Sequence, residues 1–433
     1  MTNSFNDSPI SLPDHDRFGF DPLAKALARS IVNMASPEGT VFAVNGPWGS
    51  GKTSVLNLVR HHIHQAKIDP PIEIVDFTCW WFRGEDALTL AFIQQLLGAV
   101  KPALPEKAQS DVTKLAKHML KARDLIAPAL VAIGAVAGAP LAKGVADALD
   151  KLLTGDEPVD AQHKRLAERL REQPKRFLVV VDDLDRLLPD EALQVLRLIK
   201  SLGRLPNVMY LLAFDRQIAE KVVAEKYPSE GPHYLEKIIQ AAFELPAPSQ
   251  DDLNNGMLDQ IVQLCGQPSE AEAVHFMNVF YDCIAPFIRS PRDLSRIANT
   301  IAVTWPAIKG DVQVAEFAAM ETLRIAHGSV YRRVQTAKDL LTAGLSSRGD
   351  HDRADMTAKA DALFAGVPAA DQQALRDALM RLFPRTESIW YRAQSPWAPC
   401  RPRSGKSYGS RQVGSCVCRS CPSVRARRDR GTR

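Results

Sequence analysis

The order of apolar and polar positions along the chain predicts a parallel β-sheet with helices between its strands. Four short runs, at residues 41–44, 72–77, 177–181 and 207–214, predict strands, and the run at residues 177–181 is continuously apolar and β-branched, as in a strand buried on both faces. An amphipathic stretch over residues 18–34 precedes the first run and predicts a helix. Because strand and helix patterns alternate, we expect an α/β fold with a parallel sheet that is covered on both faces.

After the last of these runs the pattern becomes helical. Residues 234–240 and 243–246 are expected to carry the chain out of the sheet, and the periodicity from Asp251 onward is that of helices. We therefore expect residues 247–396 to form an α-helical lid or C-terminal helical region. Residues 1–16 are polar and predict a disordered N-terminus.

A helical insertion, residues 97–174, is predicted between the two parts of the core, residues 17–96 and 175–246. Within it, residues 125–142 carry no charged side chain over 18 positions, which is close to the lower limit for a membrane span. Only seven of these 18 residues are Leu, Ile or Val, and two prolines and two glycines weaken both insertion and helix. We favour a buried or surface-associated helical hairpin and keep membrane contact as the alternative.

Charge and cysteine content narrow the class of protein. The net charge of the chain is +4, but residues 400–433 hold nine Arg, one Lys and one Asp, so the remainder has a net charge of −5. The predicted folded part therefore gives no compositional signal for nucleic-acid binding. Cys79, Cys265 and Cys283 are isolated, which is typical of reduced thiols. With no visible signal peptide, we expect a cytoplasmic protein, with membrane association through residues 125–142 as the alternative.

The basic tail, residues 397–433, differs from everything before it. It is rich in Arg, Ser, Cys, Gly and Pro, and four of the seven cysteines lie in it. A zinc site and an Arg-mediated nucleic-acid contact are both alternatives, but the Cys spacing is not that of paired zinc ligands. We interpret the tail as disordered or as an out-of-frame C-terminus.

The candidate chemistry begins directly after the first strand. The sequence Gly-Pro-Trp-Gly-Ser-Gly-Lys-Thr at residues 46–53 fits the phosphate-binding pattern G-x-x-x-x-G-K-[ST], and a helical stretch follows it. Backbone N–H groups of such a loop surround phosphate oxygens, the lysine meets the β and γ phosphates, and the hydroxyl after it ligates Mg²⁺. The predicted nucleotide-binding residues of this loop are Gly46, Gly49, Ser50, Gly51, Lys52 and Thr53.

An acidic element follows the strand at residues 177–181. Asp182 is placed to hold the metal together with Thr53, and Asp183 to orient and polarise an attacking water. Asp185 and Arg186 could support this pair. An acidic solvated turn is the alternative, but its combination with the phosphate-binding loop favours a Walker B site.

Two further polar residues are candidates for sensing the nucleotide. Asp215 follows the strand at residues 207–214, where it could contact the γ-phosphate or simply cap the next helix. Arg292 follows Ser290 and Pro291, a helix start signal, so it lies in a first turn from which it could reach the γ-phosphate. A surface ion pair with Asp293 is the alternative for Arg292.

Trp80 and Trp81 follow the second strand. We expect them to pack in the core or between domains, with nucleotide contact as the alternative. His61, His62 and His64 lie on the helix after the phosphate-binding loop, and we interpret them as a polar face and not as metal ligands.

Taken in order, the motifs resemble the KAP family of P-loop NTPases over about residues 16–340. The residues that carry the resemblance are the segments 17–20, 46–53, 77–82, 181–187, 213–216, 234–237 and 290–293. The resemblance implies an additional-strand ATPase fold with a helical lid, insertions that often carry membrane helices, and frequent bacterial roles in anti-phage defence. The chain departs from this pattern in the weak hydrophobicity of its insertion and beyond Trp397.

Three functions are compatible with these residues. An Mg-dependent ATP-hydrolysing switch, with Lys52, Asp183 and Arg292 as catalytic residues and ATP and Mg²⁺ as cofactors, is the first; the chain lacks the Asn-Lys-x-Asp signature that reads guanine. A nucleotide-binding scaffold with little hydrolysis, associated with membranes, is the second. A small-molecule kinase is the third, although no acceptor domain is visible. Protein partners or self-association are expected for a switch.

Overall fold

The structure is a computed structural model. It describes residues 8–104, 159–202, 205–226, 228, 233–343 and 350–390. The apolar segment at residues 125–142 and the basic tail from residue 397 lie outside these residues. The interpretations of both segments therefore stay predictions.

A sheet of five parallel strands forms the centre of the fold. The strands are β1 (Thr40–Asn45), β2 (Glu73–Phe77), β3 (Phe177–Val181), β4 (Val208–Phe214) and β5 (Ala241–Glu244). Their spatial order is β2-β3-β4-β1-β5. Strand β4 thus lies between β1 and β3, with Phe42 opposite Leu211 on one side and Val179 opposite Tyr210 on the other. This inserted strand confirms the predicted additional-strand class of P-loop fold.

Strand β5 was not predicted. We expected residues 243–246 to lead away from the sheet, but Ala241–Glu244 pairs in parallel with β1, from Phe42↔Ala241 to Asn45↔Glu244. The strand is only half covered, since Ala241 and Phe243 are partly buried whereas Ala242 and Glu244 are exposed. A short edge strand of this kind lacks the continuous apolar run that identifies the central strands.

Two separate hydrophobic clusters cover the two faces of the sheet. Strand β3 shows the division, because Phe177, Val179 and Val181 belong to one cluster and Leu178 and Val180 to the other. Alternate side chains of a strand point to opposite faces, so a strand buried on both sides must be apolar throughout. This is why residues 177–181 could be recognised as a central strand.

The helices around the sheet follow the predicted alternation. They are α1 (Asp21–Asn33), α2 (Lys52–Gln65), α3 (Glu85–Val100), α4 (Val159–Arg171), α5 (Pro189–Leu202), α6 (Arg216–Lys226) and α7 (His233–Glu236). Leu27 of α1 and Leu56 of α2 lie in one of the two clusters, and Phe92 of α3 and Leu193 of α5 lie in the other. Each helix therefore buries its apolar side against one face of the sheet.

The N-terminal segment makes defined contacts over residues 8–16, contrary to the expectation of disorder there, whereas residues 1–7 lie outside the described residues. Residues Pro13–His15 form a 3-10 turn. The Ile10 N–H donates to Ser54 Oγ at 3.3 Å, and Asn57 Nδ2 donates to the Ile10 carbonyl at 3.2 Å. Polar composition alone predicted disorder, but backbone hydrogen bonds to helix α2 fix residues 8–16 beside the phosphate-binding loop.

All elements after β5 in the described residues are helical. They are α8 (Gln250–Cys265), α9 (Glu270–Val279), α10 (Pro291–Ile308), α11 (Val314–Ala326), α12 (Gly328–Thr336), α13 (Lys338–Ala343), α14 (Asp350–Asp361), α15 (Ala369–Leu382) and α16 (Glu387–Trp390). None of the described helices is long and apolar enough to cross a membrane.

The chain divides into two compact units, each interrupted in sequence. Unit 1 comprises Met1–Gly266 and Ile288–Trp305, and unit 2 comprises Gln267–Phe287 and Pro306–Arg433. Unit 1 contains the sheet, helix α8 and most of helix α10. Unit 2 consists of helices in its described part. Residue Arg292 therefore belongs to the same compact unit as the phosphate-binding loop.

Candidate nucleotide-binding site

The loop at residues 46–53 joins strand β1 to helix α2 in the geometry of a phosphate cradle. Gly49 and Gly51 have φ angles of +83° and +105°, which residues other than glycine rarely adopt. A Cβ at Gly46 would lie 2.7 Å from Ser50 Oγ, and one at Gly51 would lie 2.7 Å from Phe20 Cε2. The loop therefore has no room for a side chain at these positions, and its backbone stays close to any bound phosphate.

Lys52 is the first residue of helix α2 and is 7% exposed. Its ammonium donates to the carbonyls of Gly46 at 2.9 Å and Pro47 at 3.3 Å, and it forms an ion pair with Asp185 Oδ2 at 3.4 Å. A buried ammonium needs partners of this kind. Lys52 is thus held inside the phosphate-binding loop, at the point where the loop meets the acidic turn after strand β3.

The acidic turn places Asp182 and Asp183 directly after strand β3. Asp182 Oδ1 accepts the N–H of Asp183 at 2.8 Å, and Asp183 has a left-handed backbone with φ of 58°. Arg186 forms an ion pair with Asp183 Oδ2 at 3.0 Å. A left-handed aspartate is uncommon and is found at functional sites more often than elsewhere.

The pKa of Asp183 is raised above the usual value of an aspartate. Burial is the main cause, followed by the nearby carboxylate of Asp182, while the Arg186 guanidinium acts in the opposite direction. A carboxylate with a raised pKa is a better proton acceptor near neutral pH. This property fits the predicted role of Asp183 toward an attacking water.

One cavity of about 720 Å³ brings the two motifs together. Its volume lies in the range of small-molecule sites, roughly 300–1,000 Å³. Its lining includes Lys52, Thr53, Asp183, Arg186 and Arg292. Phe18, Phe20 and the N-terminal residues 8–11 form another part of the wall. The phosphate-binding loop, the acidic turn and the start of helix α10 therefore face the same space.

Within the phosphate-binding loop and the acidic turn, two buried polar atoms have no hydrogen-bond partner among the described residues. They are Ser50 Oγ, in the phosphate-binding loop, and Asp185 Oδ1, in the acidic turn. Unsatisfied buried acceptors and hydroxyls are rare in native proteins because they lose their hydration without compensation. Their presence here fits a site whose ligands, an anion and a cation, complete the hydrogen bonding.

Arg292 lies over the phosphate-binding loop. Asp293 Oδ2 accepts from the Ser290 hydroxyl at 2.9 Å and from the Arg289 N–H at 3.2 Å, and Ser290 Oγ accepts the Asp293 N–H at 3.2 Å. The guanidinium carbon of Arg292 lies 4.0 Å from the ring centroid of Trp48. The helix start predicted from Ser290 and Pro291 thus directs Arg292 to the phosphate-binding loop.

Asp215 caps helix α6, which is one of the two roles that the sequence predicts for it. Its Oδ1 accepts the N–H groups of Gln217 at 2.9 Å and Ile218 at 3.4 Å, so it caps helix α6. It also lines a small cavity of about 30 Å³ together with Asp185. A contact between Asp215 and nucleotide stays a prediction.

The two tryptophans after strand β2 do not pack in the core. Trp80 is 40% exposed and Trp81 is 68% exposed, whereas Cys79 before them is buried. The Arg186 guanidinium lies 5.5 Å from the Trp80 ring centroid. The Cys79 thiol donates to the Asp182 carbonyl at 3.3 Å, and burial raises the pKa of this thiol to about 12. Cys79 is therefore a neutral support for the acidic turn that the sequence did not reveal.

The sheet order and the site define the class of protein. A phosphate-binding loop on β1, an acidic turn on β3 and an intervening strand β4 are the features of an additional-strand P-loop NTPase. The model of the KAP family P-loop domain matches residues 20–308. The chain therefore belongs to the KAP family of P-loop NTPases.

The chain is also similar to one curated protein, the phage T7 exclusion protein of Escherichia coli (strain K12). The two are 25% identical over 372 residues, which cover 81% of this chain and 50% of that protein. The chain thus spans about half the length of this relative.

Two solved structures show a more distant similarity. The ORC2 protein of Aeropyrum pernix, in ADPNP-ADP complexes, has a TM-score of 0.42 at 14% identity, over 90% of this chain and 84% of that one. Cdc6p of Pyrobaculum aerophilum has a TM-score of 0.38 at 14% identity, over 88% and 89%.

Proposed function

We propose that the chain binds Mg-ATP in this cavity and hydrolyses it, and that the hydrolysis cycle acts as a conformational switch. The observation that carries the proposal is the ion pair between Lys52 and Asp185, 3.4 Å long. It joins the phosphate-binding loop to the acidic turn, although strand β4 separates β1 from β3. The phosphate-binding loop is therefore in direct contact with the turn that carries Asp183.

Each residue has a role that its surroundings support. The N–H groups of the loop and the positive end of helix α2 bind phosphate oxygens, and the Lys52 ammonium binds the β and γ phosphates. Lys52 must exchange its partners Gly46 O and Pro47 O for phosphate as ATP enters. Asp183, with its raised pKa, orients the attacking water and accepts its proton. Arg292 supplies a second cation at the same cavity.

Mg²⁺ fits the donor set of the acidic turn and the loop. The Thr53 hydroxyl and the Asp182 carboxylate are hard oxygen donors of the type that Mg²⁺ prefers, and Thr53 lines the cavity. In P-loop enzymes the bound metal neutralises charge on the β and γ phosphates. Asp182 and Thr53 are the residues that would hold it here.

The enzymatic test is a comparison of binding and turnover in matched variants. Asp183→Asn keeps the shape of the side chain but cannot accept a proton, so we expect ATP binding to persist while hydrolysis falls by at least about a hundredfold. Lys52→Ala should abolish binding, and Asp182→Asn should weaken the dependence on Mg²⁺. Asp355→Asn is the control, since it removes an equal charge from an exposed pair in unit 2.

The outcomes of this test separate the proposal from its alternative. Isothermal titration measures binding, and phosphate release measures turnover. Tight ATP binding with no turnover in the wild-type protein would favour a nucleotide-binding scaffold. Normal turnover by Asp183→Asn would move the base role to another carboxylate, with Asp185 as the next candidate because it contacts Lys52.

We propose phage exclusion as the biological role, on the basis of the similarity to the phage T7 exclusion protein. The test is the plating efficiency of phages on cells that express the wild-type chain, Lys52→Ala or Asp183→Asn. Protection by the wild type alone would support the role. Equal protection by all three would show that nucleotide turnover is not required for it.

A further inference from the structure

Trp48 occupies a position of the phosphate-binding loop that the loop pattern leaves unrestricted. The pattern G-x-x-x-x-G-K-[ST] accepts any residue there. Trp48 is nevertheless a large aromatic side chain, and it is 56% exposed. An exposed tryptophan contributes little to the packing of a hydrophobic core. Any role of Trp48 at the phosphate site therefore depends on the contacts of its ring.

The ring of Trp48 contacts a single cation in the described residues. The guanidinium carbon of Arg292 lies 4.0 Å from the ring centroid, well within the range of about 6 Å for a cation–π interaction. Tryptophan is the aromatic residue with the strongest attraction for a cation. Both residues line the phosphate cavity, so the ring attracts the guanidinium at the wall of this cavity.

The backbone of Arg292 is fixed independently of this contact. Ser290 caps helix α10, and a Cβ placed on Gly49 would lie 3.1 Å from Arg292 Cβ and 3.3 Å from Ser290 Oγ. The start of the helix therefore rests directly on the phosphate-binding loop. Several rotatable bonds separate the Arg292 backbone from its guanidinium. The position of the backbone alone therefore does not determine the position of the charge.

We propose that Trp48 is a positioning residue that holds the Arg292 guanidinium at the phosphate cavity, and that this arrangement lets the site distinguish ATP from ADP. The inference rests on the proposed function, in which Arg292 supplies a second cation at the phosphate cavity. Lys52 already contacts the loop and the acidic turn. A second, preplaced cation would therefore strengthen binding chiefly when a γ-phosphate is present.

The experiment measures the affinities of ADP and of the slowly hydrolysed analogue ATPγS by isothermal titration. The variants are Trp48→Ala, Trp48→Phe, Arg292→Ala and the double variant Trp48→Ala/Arg292→Ala. Tyr281→Ala is the control, because Tyr281 is a similarly exposed aromatic residue in unit 2, with 53% exposure. Thermal melting of each variant checks that it is folded.

We expect Trp48→Ala to weaken ATPγS binding by about three- to tenfold, as the energy of a cation–π contact implies, while ADP affinity changes by less than about twofold. Trp48→Phe should restore most of the difference, because it keeps an aromatic face. The double variant should bind ATPγS no more weakly than Arg292→Ala, because both single changes remove the same interaction.

Several results would overturn the inference. Equal losses for ADP and ATPγS would show that Trp48 only supports the shape of the loop, and additive losses in the double variant would show that it acts apart from Arg292. An unchanged ATPγS affinity in Trp48→Ala would also contradict it. If the wild-type protein binds neither nucleotide, the proposed function fails and the inference fails with it; wild-type binding with any of the other results refutes the inference alone.

Discussion

At the scale of single residues, Asp183 combines a left-handed backbone with a raised pKa. The backbone places its carboxylate next to that of Asp182, and the proximity of two negative charges raises the pKa further after burial has done so. Arg186, at 3.0 Å, counteracts part of this shift. The pKa of Asp183 is thus raised mainly by burial, and the Asp182 carboxylate and the Arg186 guanidinium then shift it in opposite directions.

The pH dependence of hydrolysis should report this balance. A base works only when it is deprotonated, so the rate should rise with pH as Asp183 loses its proton. Arg186→Ala removes the cation that lowers the pKa of Asp183, so the acid limb of the kcat profile should move to higher pH. Rates measured from pH 5 to pH 9 on wild type and variant test this shift.

Arg186→Lys is the matched control, because it keeps the positive charge and should leave the acid limb closer to that of the wild type. A shift of the acid limb to lower pH in Arg186→Ala would contradict the assignment of Asp183 as base. An unchanged limb would show that another group controls the rate.

Most candidate site residues could be proposed from the sequence because they follow strands directly. The carboxyl ends of parallel strands meet at one edge of the sheet, so Asp182, Asp183 and Lys52 had to be near one another. The contact between Trp48 and Arg292 could not be foreseen, because it joins residues far apart in sequence and depends on the path of helix α10. The contact of the Cys79 thiol with the acidic turn could not be predicted, because an isolated cysteine belongs to no recognisable sequence motif.

At the scale of elements, strand β4 is buried along its whole length. All seven of its residues are buried, including Tyr210 at 0% exposure. The ring of Tyr210 lies nearly parallel to that of Phe92, at 6.4 Å. Its hydroxyl is buried without a hydrogen-bond partner within the described residues, and burial raises its pKa. The Tyr210 hydroxyl therefore makes no hydrogen bond within the described residues that would stabilise strand β4.

We expect Tyr210→Phe to raise the free energy of unfolding by about 1 kcal/mol. The change removes a buried hydroxyl that has lost its hydration and keeps the ring packing. Urea denaturation at neutral pH gives the measurement. Tyr281→Phe, at an exposed position, is the control and should alter the free energy of unfolding by less than about 0.5 kcal/mol. A loss of stability in Tyr210→Phe would indicate a hydrogen bond from a residue outside the described part.

The central strands were predictable because burial on both faces demands an apolar run, whereas β5 was not. Ala241 and Phe243 of β5 pack against the core, whereas Ala242 and Glu244 are exposed. Such a strand is specified by its pairing with β1 and not by its own composition. The exposure of Trp80 and Trp81 was not predicted, because large aromatic side chains are usually buried. The 3-10 turn at Cys79–Trp81 leaves both of these side chains exposed.

At the scale of the whole molecule, the sequence predicted a core with a helical insertion and a helical region after it. The division into compact units adds that residues Ile288–Trp305 belong with the nucleotide site. Sequence patterns identify helices but not the unit in which each helix packs, since an apolar face fits any complementary surface.

The interpretation of residues 125–142 can be tested on the whole protein. If this segment does not span a membrane, the protein should be recovered without detergent, or should leave membranes on washing with carbonate or high salt. Its content of Pro and Gly and its few large aliphatic residues are the physical reason. Retention that only detergent reverses would show that the segment is inserted. A deletion of residues 125–142 then identifies whether this segment is responsible.

The interrupted course of unit 1 has a consequence for how the protein is made. Helix α10 contributes Ile297, Ile301 and Trp305 as buried residues of that unit. A ribosome has synthesised Gln267–Phe287, which belong to unit 2, before it reaches them. Domains fold as units during synthesis, so the nascent nucleotide site stays unfinished, with apolar surface uncovered, until residue 305 has emerged. A nucleotide can stabilise the folded unit by binding only after that point.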